Sequence, residues 1–311
     1  MVDSETGDAP RPGAKSRCGF VALIGAPNSG KSTLVNQLVG AKVSIVTHKV
    51  QTTRARLRGV AIEGDSQLVL VDTPGIFAPK RRLDRAMIET AWGEARNADI
   101  VVVLLDSQKK LDPDAERMLA TAADLDIPRV LALNKIDKVD KTSLLALADE
   151  AGKRANFAQI FMISALTGEG VDDLKRYLVE SVPLGPWLYP EDQITDAPLR
   201  HAAAEITREK LILRLHQELP YVSTVETAAW RELKDGGVRI EQTIYVERDS
   251  QKKIVIGAQG RTIKEISMAA RKEISDMLGV PAHLFLFVKV RKSWSDDPER
   301  YREMGLEFPK A

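Results

Sequence analysis

Short apolar runs recur through the first half of the chain, at residues 21–24, 68–71, 100–105, 130–133 and 160–163, and Val, Ile and Leu dominate them. They are too short for helices and show no polar alternation. That predicts strands buried on both faces of a parallel sheet. Stretches with helical spacing lie between them, at 32–39 (stopped by Gly40), 114–123 and 171–180. Strands alternating with helices predict an α/β fold with a mostly parallel, doubly wound sheet. Such sheets bind ligands beyond the carboxyl ends of their strands. Gly25, Asp72, Asn134 and Ser164 each follow an apolar run directly, so they are expected to converge. Residues 44–58 are polar and have no fixed period, as in a loop.

The pattern changes after residue 183. Pro183, Pro186, Pro190 and Pro198 punctuate a stretch that reads as an irregular, semi-rigid linker. Residues 199–219 have helical spacing. Residues 222–230 and 238–247 alternate like strands, joined across Asp235, Gly236 and Gly237. A short apolar run at 254–256 leads into Gly257-Ala258-Gln259-Gly260. A helix is expected over 261–278 and a strand over 283–291. The order α-β-β-α-α-β predicts a second, smaller α+β domain. The expected division is a tail over 1–16, a first domain over 17–183, a linker over 184–198, a second domain over 199–295 and a C-terminal tail over 296–311.

Composition narrows the class. With 311 residues the chain is long enough for two ordinary domains, and 44% hydrophobic with 29% charged residues is a globular composition. No apolar run reaches the ~20 residues of a membrane span. The first 15 residues lack the apolar core of a signal peptide and are too polar to build a core. A single cysteine, Cys18, forms no internal disulfide, which fits a reducing compartment. The net charge of +1 hides an asymmetry. Residues 1–198 hold 25 Lys and Arg against 27 Asp and Glu, whereas residues 252–292 hold 9 against 3. A basic cluster of that kind suits a phosphate backbone.

The strand ends carry the chemistry. Residues 25–32 read Gly25, Ala26, Pro27, Asn28, Ser29, Gly30, Lys31, Ser32, with Thr33 next. The glycines let backbone N–H groups curl inward around phosphate, and the following helix adds its positive end. Lys31 brings a point charge to the β and γ phosphates and Ser32 a hydroxyl to Mg²⁺. Asp72 closes the second run as a carboxylate for the same ion. Thr73, Pro74 and Gly75 follow it, and the Gly75 N–H is placed for the γ-phosphate. Thr52 and Thr53 lie in the polar loop, and Thr53 is the candidate third metal ligand, recruited only with a γ-phosphate. Two ordinary loop threonines are the plain alternative. Asn134, Lys135, Ile136 and Asp137 read the base: the Asp137 carboxylate accepts from the N1–H and amine of guanine, a donor pair adenine lacks. Ser164, Ala165 and Leu166 offer a backbone N–H to the guanine oxygen. The residue after Gly75, where Ras-type enzymes orient water with glutamine, is Ile76. Asn28 either seats a K⁺ ion beside the phosphates or only braces the loop, and both readings stand. Lys31, Thr53, Gly75 and Asn28 form the catalytic set.

In the second domain, the order of elements and the Gly-Ala-Gln-Gly turn resemble a KH domain of the bacterial type, type II, whose turn clamps nucleic-acid backbone between two helices. Gly257 and Gly260 permit close approach, Ala258 and Gln259 sit between them, Ile256, Ile263 and Ile266 line an apolar groove, and Lys252, Lys253, Arg261 and Lys264 supply charge. From Cys18 to Trp294 the chain resembles the Era family of bacterial GTPases, including Gln-Thr-Thr-Arg at 51–54, Leu-Pro-Tyr at 219–221, Val-Glu-Arg at 246–248, Gln-Lys-Lys at 251–253 and the stretch 288–294. The resemblance implies GTP and GDP with Mg²⁺ as ligands, and binding of 16S rRNA near its 3′ end during assembly of the 30S ribosomal subunit. It also implies a monomer in the cytoplasm, partly at the inner membrane as a peripheral protein. Family members often carry lysine inside the glycine turn, where this chain has Ala258 and Gln259. Two functions stay open. One is hydrolysis that times release from RNA, and the other is an RNA-binding chaperone in which GTP is mainly structural. A third, a GTPase of tRNA modification, is disfavoured because no modification chemistry is visible.

Overall fold

The computed structural model describes residues 16–47, 49, 52–54, 56–79, 81–215, 223–292, 298, 301 and 306–308. The chain forms two compact units. One holds residues up to 44 together with 56–78 and 88–196; the other holds 45–55, 79–87 and the residues from 197 on.

In the first unit, β1 (Arg17–Gly25), β2 (Leu57–Glu63), β3 (Ser66–Asp72), β4 (Ile100–Asp106), β5 (Arg129–Asn134) and β6 (Ile160–Ile163) form one sheet in the order β2-β3-β1-β4-β5-β6. All neighbours are parallel except β2 and β3. The continuous apolar runs are strands because both faces are covered. Val21, Leu23, Leu68, Leu70 and Val102 lie under α1 (Lys31–Val39) and α5 (Val171–Ser181). The alternate residues Ala22, Ile24, Val101 and Val103 lie under α3 (Pro113–Ala123), α4 (Lys141–Gly152) and the second half of α2 (Arg82–Arg96). Two of these helices start on side-chain caps. Asp112 accepts from the Ala115 N–H ahead of Pro113, and Asp140 accepts from the Ser143 N–H at 3.0 Å.

Four features of this unit were not in the pattern. Helix α2 is the first. Helix α4 follows the short turn at Ile136–Lys138 closely. Strand β2 takes up part of the stretch read as loop, because its antiparallel ladder with β3 runs residue for residue from Leu57↔Asp72 to Glu63↔Ser66. The proline-rich stretch, read as a linker, lies along the unit. Gln67, fully buried, accepts from the Leu188 and Tyr189 N–H groups at 2.9 and 3.0 Å and donates to the Tyr189 carbonyl at 2.8 Å. Thr195 bridges to Gly59, and the Val60 N–H donates to the Ile194 carbonyl at 2.9 Å, on the outer edge of β2.

In the second unit, α6 (Leu199–Arg214) precedes β7 (Ser223–Glu232) and β8 (Val238–Val246), then α7 (Asp249–Ile256), α8 (Arg261–Leu278) and β9 (Ala282–Val290). The sheet runs β7-β8-β9, antiparallel then parallel, with a bulge in β7 between Thr227 and Ala229. Helices α6 and α8 cover one face, with Leu211, Ile266, Ala270 and Ile274 against Val225, Ile240, Ile244 and Leu284. The predicted order of elements is the observed one. The expected continuation of α6 beyond residue 215, the Leu-Pro-Tyr motif at 219–221, Gln51 and residues 293–294 lie outside the described residues. A separate small cluster joins Leu83, Ala86 and Met87 to Tyr301 and Leu306.

Candidate functional site

In the first unit the sheet register brings the predicted segments to one edge. Leu23 pairs with Asp72, Asp106 with Asn134, and Asn134 with Ile163, so the strands end at one level. Beyond β1 the loop from Gly25 to Gly30 turns on two residues in the left-handed region, Asn28 (φ 63°) and Gly30 (φ 102°). Gly30 is required twice over, because a Cβ there would stand 2.1 Å from Asn134 Nδ2. Lys31 is buried, and its ammonium donates to the Gly25 and Ala26 carbonyls, both at 3.0 Å. Burial pushes it down to about 8, against the pull of Asp72.

Ser32, on the first turn of α1, donates to Asp72 Oδ2 at 2.6 Å. Ser44 donates to the same oxygen, also at 2.6 Å, and is held in place by Asn36, which accepts from the Val43 and Ser44 N–H groups. These are hard oxygen donors at a helix N-terminus, a set suited to a small divalent cation beside an anion. Ser29 Oγ, buried in the same loop, has no hydrogen-bond partner among the described residues, as suits a donor for such an anion. Thr33 lies beside Ser32 on α1. Thr73 uses its hydroxyl on the Leu23 carbonyl at 2.6 Å, and Pro74 is buried beside it. The Ile76 N–H donates to the Gly25 carbonyl at 3.0 Å, tying Gly75 to the loop, while the Ile76 side chain sits in the core.

Asn134 joins three segments. Its Nδ2 donates to the Ser29 carbonyl at 2.7 Å, and its Oδ1 accepts from the Lys135 N–H at 2.8 Å and the Ala165 N–H at 2.9 Å. Lys135 takes a left-handed conformation (φ 69°) and pairs with Asp106 at 2.7 Å. Ile136 opens a short turn. Asp137 accepts from Ser164 Oγ at 2.8 Å, which holds its carboxyl below the ordinary carboxylate value with help from Lys138. Leu166 is exposed. Asp106 and Ser44 were missed. Asp106 had a signal, since it closes an apolar run as Asp72 does. Ser44 had none, because its contact is made across a loop.

Thr53 belongs to the 45–55 segment and is placed with the second unit. There Arg208, paired with Glu205 through Nε at 2.7 Å, also donates to the Thr52 carbonyl, and Arg54 donates to the Ser223 carbonyl at 2.8 Å. The Val46 N–H donates to Glu209 at 2.9 Å, and Lys49 to the Ile212 carbonyl at 2.7 Å. Burial, then the neighbouring Arg208, push Arg54 down to about 9, while Glu205 opposes them.

The second unit's glycine turn joins α7 to α8. Gly257 (φ 74°) faces Thr262, whose Oγ1 would lie 2.2 Å from a Cβ, so that glycine is needed by the protein's own packing. Gly260 (φ 76°) faces open space. Gln259 takes the left-handed region as well, next to exposed Ala258. Lys253, Arg261 and Lys264 are exposed around the turn, Lys252 is half-buried, and Ile256 and Ile263 are half-buried. Ile266, expected in the groove, is instead fully buried in the core, because the α8 spacing turns it onto the sheet. Ile254 on α7 is 52% exposed and was not foreseen.

The family model described as "50S ribosome-binding GTPase" matches residues 20–135, and the KH domain model matches residues 218–295. The GTPase Era of Bradyrhizobium diazoefficiens is 64% identical over 310 residues, covering 100% of both chains. The chain belongs to the Era family of GTPases. The GTPase Era of Brucella suis is 66% identical over 295 residues, covering 95% of each chain. Two crystal structures of Era superpose with a TM-score of 0.89 at 38% identity, each covering 93% of this chain and 99% of the other. One is Era in complex with MgGDPNP and nucleotides 1506–1542 of 16S ribosomal RNA, and the other an Aquifex aeolicus Era variant bound to GDP and aluminium fluoride.

Proposed function

We propose that this protein is a GTP-hydrolysing switch that binds the 3′ region of 16S rRNA through its KH unit and assists biogenesis of the 30S subunit. The observation that carries the nucleotide half is Asn134, one buried side chain that ties the phosphate loop, the guanine reader and the Ala165 segment into one site. The rRNA half rests on the similar Era bound to 16S rRNA, at 38% identity over nearly the whole chain. The broader family model speaks of the 50S subunit, but it matches only residues 20–135. The full-length relative carries the small-subunit RNA.

Ser32 and Asp72 are the residues that would hold Mg²⁺, joined by Thr53 once a γ-phosphate is in place, and Lys31 would take the phosphates. The metal supplies neutralisation of charge on the phosphates. Asp137 selects guanine, with Lys135 flanking the base, whereas the Ala165 N–H is given to Asn134 Oδ1 and not to the guanine oxygen. Lys252, Lys253, Ile256, Gly257, Ala258, Gln259, Gly260, Arg261, Ile263 and Lys264 form the RNA clamp. With Ile76 in the core, water activation rests on the loop itself and on Asn28, through K⁺ or by bracing. The domain bounds fit the same scheme: a GTPase domain over 17–183, a connecting stretch over 184–198 and a KH domain over 199–295.

We place the protein in the cytoplasm as a monomer. No described helix is long and apolar enough to cross a membrane. The peripheral membrane contact implied by the resemblance is not borne out by the comparisons. Multiple-turnover phosphate release, measured with and without small ribosomal subunits and in K⁺ against Na⁺, tests the proposal. Turnover stimulated by subunits is expected. Tight GTP binding with no turnover under any condition would leave only the chaperone function.

A further inference from the structure

Helices cover one face of the second unit's sheet. The strand register sets out the other face in rows: Arg231, Arg239 and His283; Ala229, Glu241 and Phe285; Glu226, Thr243 and Phe287; Thr224, Tyr245 and Lys289. Phe285 and Phe287, two residues apart on the edge strand β9, are 42% and 48% exposed. The core needs neither, because the alternate residues Leu284, Leu286 and Val288 supply it. The Arg239 guanidinium stands 4.3 Å over the Phe285 ring and is held there by Glu241, which accepts from Nε and Nη2 at 3.1 and 2.9 Å. Arg231, Arg239, Lys289 and His283 stand on this face against Glu226 and Glu241, and Glu241 is spent on Arg239. Flat rings beside fixed cations suit unpaired bases with their phosphates. Helix α7, which leads into the glycine turn, packs on β9, so the clamp and this edge strand adjoin.

We propose that the face of the KH sheet opposite its described helices is a second RNA contact, where Phe285 and Phe287 stack unpaired bases flanking those held by the clamp while Arg239 and Lys289 meet the phosphates. It rests on the RNA-binding function proposed above and extends it beyond the glycine turn. A KH clamp holds about four nucleotides. The full chain with Phe285→Ala and Phe287→Ala should therefore bind a tetranucleotide matching the clamp as the parent does. Its affinity for the 3′-terminal fragment of 16S rRNA should fall roughly tenfold or more. Phe285→Tyr with Phe287→Tyr, which keeps both rings, should retain the parent's affinity for the long RNA.

Unchanged affinity of the alanine variant for the long RNA overturns the proposal. So does an equal loss on both RNAs, which would mean general damage to the unit. Unchanged naked-RNA affinity with lost small-subunit binding also overturns it and assigns the face to a protein. Photocross-linking of 5-iodouridine RNA to the unaltered protein needs no variant: adducts on the β9 peptide are expected, and adducts confined to α7 and α8 refute the contact. Gly257→Asp with Gly260→Asp separates the two ideas. If that variant binds both RNAs like the parent, the clamp itself is wrong, whatever the phenylalanines do.

Discussion

Asn134 and Gly30 occupy one space, and that makes a sharp experiment. Asn134→Ala removes three hydrogen bonds from a side chain that is 2% exposed. At about 1 kcal/mol net for each, the loss is about 3 kcal/mol, or roughly 150-fold in GDP affinity if the ties serve the bound loops. Gly30→Ala in the parent puts a methyl group 2.1 Å from Asn134 Nδ2, so the amide must leave and the same bonds are lost. A further ~1–3 kcal/mol comes from an alanine held at φ 102°. Once Asn134 is alanine, the methyl group meets no amide and only the backbone strain remains. The double variant should then bind about as weakly as Gly30→Ala alone, with a coupling near 3 kcal/mol. Titration with a fluorescent GDP analogue reads the affinities, and circular dichroism melts verify that each variant is folded. Additive losses, or an Asn134→Ala protein that binds like the parent, would refute the reasoning.

The ammonium of Lys31 titrates near 8, below its ordinary 10.5, so its burial costs stability below pH 8 and the cost fades as pH rises. Phosphate binding should raise that value and take up a proton, so GDP affinity should fall from about pH 7 to about pH 9, approaching tenfold per unit at the upper end. A flat profile, measured with the same fluorescent nucleotide, counts against Lys31 as a phosphate ligand. Asp137→Asn should weaken GTP and shift preference towards xanthosine nucleotides, whose 2-oxo group accepts from an amide; competition binding with both nucleotides decides it. Burial pushes the Glu205 carboxyl up, but Arg208, His201 and Arg54 outweigh it and hold it below 4.5. Its contribution is present above that pH and lost as pH falls below it. Glu205→Gln leaves two buried guanidinium groups without their counter-charge and should destabilise the second unit by up to about 3 kcal/mol, seen as an earlier melt at neutral pH and little difference in acid.

The buried parallel strands were legible because both faces are covered and their sequence needs no alternation. The convergence of residues 25–32, Asp72, Asn134 and Asp137 was legible for a related reason, since polar residues directly after apolar runs mark the ends of buried strands. Asp106 obeys the same rule and was passed over because no familiar motif surrounds it. Ser44 and residues 46, 52 and 54 were illegible: Ser44 is held by Asn36 across a loop and by Asp72 on β3, and the others by Glu209, Arg208 and Ser223, far away in sequence. Strand β2 escaped because an antiparallel edge strand with Gly59 in its middle carries little periodic signal. Helix α4 did leave one, Asp140 three residues before Ser143, which the apolar pattern alone does not reveal. In the second unit the order of elements was plain, while Ile266 shows the limit of reading groove from core in one helix.

The stretch from Leu184 to Thr195 has a practical consequence for anyone dividing the molecule. By composition it looks dispensable, and a cut after Pro183 seems natural. That cut would remove the backbone partners of Gly59, Val60 and Gln67, uncovering the outer rim of β2 and stranding a buried amide. An uncovered rim invites pairing with another copy. A nucleotide-binding piece ending near 183 should therefore self-associate, whereas one ending after Asp196 keeps its own protective border.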